Sequence, residues 1–265
     1  MSSKKFRNGP CVYCTAATST TADHVIARQF VSEALRANLP KVPACLRRNS
    51  AKSQLEHYLA TVLPFASRTA SVVADLTDAM PKRLAKNMKL HRELEAGRQR
   101  VWTREPSGII VPAMTVPVDG EKLNAYVGYV VRGLMWHHWQ VMLDANHFVE
   151  VQCLTGSGEK FFAVMSGWRG SNRLDETLGD CVLSYTAVQG TDRAEISVWV
   201  LSLFNGLKVS AGDPREQATR WGVMTGPRRV QERAERGARA LASLTVTTAF
   251  ARQLARRRAM YEQGG

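Results

Sequence analysis

The feature that most constrains this chain is CVYC, which places Cys11 and Cys14 with two residues between them, and a third cysteine at Cys45. That spacing is the one a metal knuckle uses to bring two thiolates to one ion. A second knuckle would put its other thiolate three residues after Cys45, where Arg48 stands, and a guanidinium has no lone pair to give zinc. Cys11, Cys14 and Cys45 are therefore expected either to hold a structural Zn²⁺ with an incomplete ligand set, completed by water or an imidazole such as His57, or to be three buried thiols. The five cysteines form an odd set, and the opening segment MSSKKFRNGPCVYC carries charge with no apolar stretch behind it. It does not read as a secretory signal, so paired disulfides are not expected and the expected compartment is cytoplasmic.

Charge narrows the partner. The chain of 265 residues has 36 Lys and Arg against 23 Asp and Glu, a formal net charge of +13. The excess sits at the two ends: residues 1–58 hold nine basic and three acidic residues, and residues 214–265 hold eleven arginines and four glutamates. Two basic ends around a near-neutral middle suit a polyanion, with nucleic acid the default. No apolar run is long enough to span a bilayer, since the best candidate, 126–139, carries Arg132. No membrane partner is expected.

Along the chain, residues 11–49 read as two short strands with long polar connections, followed by a helix from Asn49 or Ser50 to about Leu63 that either residue can cap and Pro64 stops. Helices are expected over 67–79 and 81–98, a hairpin over 101–115 around Gly108, and an amphipathic helix over 119–139 capped by Asp119. Residues 182–209 read as two or three antiparallel strands, with turns at Gln189-Gly190 and at Asn205-Gly206, the strongest hairpin signal present. From Pro214 the composition turns to Arg and Ala with helical spacing. The expected class is α+β: a ββα module over 1–63, a mixed helical and antiparallel-strand domain over 64–213, and a basic helical tail over 214–265.

The chemistry-bearing residues are Asp23-His24 in DHV, then Asn38 in NLPKVPACLRRN, Asn49 at its end, and Lys52 in KSQLEHY. Adjacent residues on a strand can send a carboxylate one way, to a metal, and an imidazole the other, to take a proton. The asparagine amide oxygen suits a hard cation, although Asn49 alone reads as a helix cap. Taken together, DHV, NL, VPAC, N and KS resemble the HNH endonucleases, closest to bacterial members reading DHV…NLxxVPACxxCN…KS; the resemblance covers about residues 10–60. It implies a ββα-metal fold in which His24 is the general base, Asn38 orients it, and Asp23 and Asn49 bind catalytic Mg²⁺ or Mn²⁺. Phosphodiester hydrolysis in DNA, with RNA the other candidate, and a setting such as bacterial defence follow from the resemblance. Arg48 departs from the family pattern, which has a thiolate there, and this puts the structural zinc in doubt.

Lys52, Arg47, Arg48, Arg228, Arg229 and Arg233 are the expected nucleic-acid contacts, the last three spaced along one helical face of the tail, where interleaved Glu232 and Glu235 fit a solvated helix equally well. The segment Trp136-His137-His138-Trp139 reads as core packing at a helix end rather than a second metal site. One active site cuts one strand, so a homodimer would serve double-strand cleavage; a protein partner for the middle domain is the remaining option. The rival reading is a catalytically inactive nucleic-acid-binding protein that retains the ββα scaffold.

Overall fold

A computed structural model describes residues 3–63, 78, 80–104, 107–167, 172–207, 209–210, 217–229 and 231–232. The first unit is a short antiparallel hairpin, β1 (Thr21–His24) against β2 (Lys41–Ala44), in the register Asp23↔Val42 and His24↔Lys41. Two 3-10 turns, Arg28–Phe30 and Glu33–Asn38, fill the connection, and α1 (Leu46–Val62) follows β2 directly. The helix starts earlier than Asn49. Cys45 is the extended residue before it, and its carbonyl accepts from the Asn49 amide at 3.0 Å, so Asn49 ends the first turn instead of capping it. The order is thus β-β-α.

The helix expected over 81–98 is divided. Residues 80–86 are helical, Asn87 leaves helical geometry, and its side chain accepts from the Leu90 amide to cap α2 (Met88–Gly97). The helix expected over 67–79 lies outside the described residues except for residue 78. The hairpin around Gly108 forms as β3 (Gln99–Arg104) and β4 (Ile110–Thr115). The long helix forms as α3 (Gly120–Trp139), with the Asp119 carboxylate accepting from the Lys122 amide and Gln140 in left-handed geometry closing it.

A five-stranded antiparallel sheet in the order β5-β11-β8-β7-β6 completes the fold, from β5 (His147–Cys153), β6 (Asn172–Leu178), β7 (Leu183–Gln189), β8 (Ser197–Leu203) and β11 (Trp221–Pro227). Helix α4 (Gly156–Ser166) connects β5 to β6, and β9 (Val209–Ser210) pairs with β10 (Gln217–Ala218). Gln189-Gly190 turns β7 into β8 as expected, with the Gly190 amide donating to the Ile196 carbonyl at 2.9 Å. Asn205-Gly206 does not close a hairpin. Phe204 and Asn205 hold positive φ, and their amides donate to Val182 and Cys181, so the turn seals the end of β7 while β8 pairs with β7 and β11.

The expected helical tail is corrected in part by β11. Trp221–Pro227 is a strand buried between β5 and β8, because its apolar run fits a strand covered on both faces. A boundary at residue 213 would therefore cut the sheet from one of its inner strands. Gly222 in this strand leaves room for α4: a Cβ there would lie 2.4 Å from the Phe162 ring. Residues 228–229 and 231–232 are helical, and Arg233 with the rest of the tail lies outside the described residues.

Helix α3, expected to be amphipathic, is instead packed on two sides along its largely apolar stretch 126–136, while its first turn is exposed. It packs on α1 and β2 on one side and on β5 and β11 on the other, so one hydrophobic core runs from Val25, Val42 and Leu59 through Tyr126 and Leu134 to Trp199 and Trp221. At Gly133 the approach is close: a Cβ would stand 3.0 Å from Val25, the residue after His24. Among the described residues no helix is long and apolar enough to cross a membrane.

Candidate functional site

Cys11 and Cys14 lie in a tight turn closed by the Cys11 amide to the Ala17 carbonyl and by Thr15 at positive φ, while Cys45 comes from the start of α1. The three sulfurs lie within 4.8 Å of one another, and Cys14 Sγ is 4.0 Å from Cys45 Sγ. With Zn–S bonds near 2.3 Å, the edge of a tetrahedron is about 3.8 Å, so this cluster could hold a metal ion such as zinc. Burial raises the Cys11 thiol. Burial also raises Cys14, but hydrogen bonds from the Ala17 amide and the other two thiols outweigh it, and Cys14 titrates below its ordinary value.

The imidazole expected as fourth ligand does not reach the cluster, and Arg48, which stands in the fourth position, has no lone pair to offer. Arg48, in the first turn of α1, stands close enough to Tyr129 and Cys14 for both to raise its pKa, Tyr129 the more, and its Nε is sealed from solvent without a hydrogen-bond partner. His57 is twelve residues beyond Cys45 on the same helix, an axial rise of about 18 Å, and is exposed. It cannot reach the sulfurs.

Thr21 and Asp23 alternate onto the face of β1 that meets α1, where Asn49 and Lys52 lie one turn apart. Asn49 Nδ2 donates to Thr21 Oγ1 at 3.0 Å. Asp23 Oδ2 accepts from the Tyr13 hydroxyl at 2.6 Å and pairs with Lys52 Nζ at 3.0 Å. The same ammonium donates to Glu56 and, at 2.6 Å, to the His24 carbonyl. Burial pushes the Glu56 carboxyl up against the pull of Lys52, and burial beside Asp23 pushes the Tyr13 phenol well up.

This network corrects the reading of Lys52 as a phosphate contact. Its side chain is 0% exposed and all three of its N–H donors are engaged, so it braces β1 against α1. Two oxygens stay uncommitted: among the described residues neither Asp23 Oδ1 nor Asn49 Oδ1 accepts a hydrogen bond, and neither is a sealed buried atom.

His24 takes the alternate face of β1 and is half-buried. Burial first, then Lys41 directly across the hairpin, lowers its pKa to about 4, against the opposing pull of Asp23. The imidazole is neutral at physiological pH, and among the described residues its ring makes no hydrogen bond. Asn38 ends the second 3-10 turn, is exposed, and has no side-chain hydrogen bond among the described residues. The expected contact from Asn38 to His24 is not made here.

Arg47 is exposed on the first turn of α1. Arg228 and Arg229 are exposed just after β11, with Arg228 Nε donating to the Ala145 carbonyl at 2.9 Å. Trp136-His137-His138-Trp139 behaves as packing at a helix end: Trp139 packs 5.0 Å from Trp199, and His138 Nε2 meets the Tyr185 hydroxyl at 2.7 Å. Tyr13 and Glu56 were not singled out from sequence. The i,i+4 spacing of Lys52 and Glu56 was the visible signal for one of them, whereas nothing local to CVYC marks Tyr13 as a partner of Asp23. In comparison with known proteins, no family model, no curated protein and no solved structure matches this chain.

Proposed function

We propose that the chain is a metal-dependent phosphodiesterase of the HNH type, cutting DNA with His24 as general base and Asp23 and Asn49 as cation ligands. The observation that carries the reading is the arrangement around β1. A neutral imidazole and a carboxylate with one open oxygen sit on adjacent residues, and the open amide oxygen of Asn49 lies on the helix that faces that carboxylate. Asp23 and Asn49 would hold Mg²⁺ or Mn²⁺. When bound, the cation acidifies the attacking water and neutralises the phosphate, which is the help that a base with a pKa of about 4 requires. Tyr13 and Lys52 hold Asp23 Oδ2 and so aim Oδ1; Lys52 also fixes the His24 backbone. The imidazole takes the proton from water as the new P–O bond forms. The bond from phosphorus to the 3′ oxygen breaks and that oxygen takes a proton from solvent, giving 5′-phosphate and 3′-hydroxyl ends. The cysteine cluster braces the turn before β1, and the basic exposed residues Arg47, Arg228 and Arg229 attract the polyanion.

The second reading, a nucleic-acid-binding protein without cutting, is favoured by one observation: the other oxygen of Asp23 is already held by a buried lysine. Supercoiled plasmid with Mg²⁺, Mn²⁺ or EDTA separates the two. Nicking that needs metal and is lost in Asp23→Ala and Asn49→Ala supports the nuclease; uncut plasmid in every metal, with binding retained, supports the second.

A further inference from the structure

We infer that the cleft between the start of α1, one face of α3 and β5 is a phosphate-ester subsite, with Arg48 and Arg132 as its anion ligands. Its cavity is about 430 Å³, within the roughly 300–1,000 Å³ of small-molecule sites and sufficient for a nucleotide. Asn124, Gly128, Tyr129 and Arg132 recur along α3 at the spacing of one helical face, and Val149 and Val151 alternate onto one face of β5. The cleft therefore has a cationic end and an apolar wall.

Its cationic groups lack a carboxylate partner. Among the described residues neither Arg48 nor Arg132 makes an ion pair. Arg132 Nη1 donates to the Leu143 carbonyl at 2.6 Å and its remaining donors have no protein partner there. Arg48 Nε and Asn124 Oδ1 are both sealed from solvent with no hydrogen bond. Two guanidinium groups repel each other across the cleft, and Arg228 adds to the field at Arg132. The opposing carboxylate, Asp144, is taken by His147 Nδ1 at 2.6 Å and by the Asn146 amide. Two half-buried cations side by side, met only by Tyr129, the Cys14 thiol and an Asp144 already held by His147, are costly until an anion arrives. The planar guanidinium fork matches phosphate oxygens.

Tyr13 joins this cleft to the candidate centre. Its ring packs edge-on against Tyr129 at 4.9 Å and lines the cleft, while its hydroxyl holds Asp23. A phosphate in the cleft would lie on the far side of Tyr13 from Asp23, as a neighbouring phosphate of a bound strand would. For a strand-borne phosphate the inference rests on the nuclease reading; for a free nucleotide it does not.

The test uses the full chain in EDTA, with a labelled single-stranded oligonucleotide and, separately, a nucleoside 5′-monophosphate as probes. Two variants attack the cleft differently. Arg48→Gln removes charge. Gly128→Leu keeps every charge but fills the cavity, where a Cβ at Gly128 meets only Val151, at 3.9 Å. Loss of a charge-assisted contact predicts affinity about tenfold lower or more in Arg48→Gln, and blocking predicts a comparable loss in Gly128→Leu, neither with a lowered melting temperature. Where Arg48→Gln fails to fold, Arg48→Lys replaces it, keeping charge but losing the fork. Loss for the oligonucleotide alone assigns a strand phosphate; loss for the monophosphate assigns a free nucleotide. Affinity that falls in Arg48→Gln but not in Gly128→Leu is surface charge only and overturns the subsite, as does no change in either. Cleft-dependent binding by a wild type that cuts nothing with Mg²⁺ overturns the nuclease reading alone.

Discussion

Replacing Lys52 by methionine removes the one cation that holds two carboxylates and a strand carbonyl together. The Lys52 side chain is 0% exposed, and those of Asp23 and Glu56 only 10% and 12%. Breaking a buried pair by deleting one partner costs about 3–5 kcal/mol, because the remaining charge is left without compensation. For a chain of this size each kcal/mol moves the melting temperature by about 2–4 °C, so Lys52→Met should melt about 6–20 °C below the wild type. The loss should depend on pH. Burial already raises Glu56, and without Lys52 it rises further, so the variant regains stability as acid neutralises Glu56. Adding Glu56→Leu should recover about half of the loss, leaving Asp23 to the Tyr13 hydroxyl. Thermal unfolding followed by circular dichroism at pH 8 and pH 5 measures all of this. A shift under about 2 °C at pH 8, or a loss that grows at pH 5, would refute the reasoning.

Two further outcomes follow from the same geometry. The folded-state pKa of His24, about 4, lies below its ordinary 6.5, so between those values the unfolded chain binds more protons, and the His24 contribution to stability is lost as pH falls through that window. With the ring half-exposed the contribution is about 1–2 kcal/mol, measured as the difference in unfolding free energy between wild type and His24→Gln at pH 4 and pH 7; taking that difference removes the opposite trend of Glu56. Arg48→Cys supplies a fourth thiolate three residues after Cys45 and should tighten zinc at least about tenfold in competition with a chromophoric chelator. Equal affinity would mean that position 48 does not face the metal.

Much of this was legible because the signals were local. Asp119 before an apolar-periodic run announced α3, and the β-β-α order followed from turn residues and short apolar strands. Where the outcome depended on distant partners, local pattern failed. Helix α1 begins at Leu46 because β2 runs straight into it with no polar cap, so neither Asn49 nor Ser50 marks its start. Trp221–Pro227 sits beside arginines and reads as the edge of a basic tail, yet pairing with β5 and β8 makes it an inner strand. Lys52 looked like a phosphate contact because nothing nearby in sequence shows that Tyr13, Asp23 and α3 enclose it; the Tyr126 ring lies 5.9 Å from its ammonium. His24 and Asp23 were placed by the strand alternation itself, whereas the exposed position of Asn38 depends on how the 3-10 turn folds.

The most direct measurement compares wild type and His24→Ala for plasmid cleavage and for DNA affinity in the same Mg²⁺ or Mn²⁺ buffer. A general base contributes about 10²–10⁴-fold, so cleavage should fall by at least a hundredfold while affinity stays within about twofold. Cleavage that survives His24→Ala unchanged, or a wild type that binds DNA and never cuts it, would contradict the assignment of β1 as the catalytic strand.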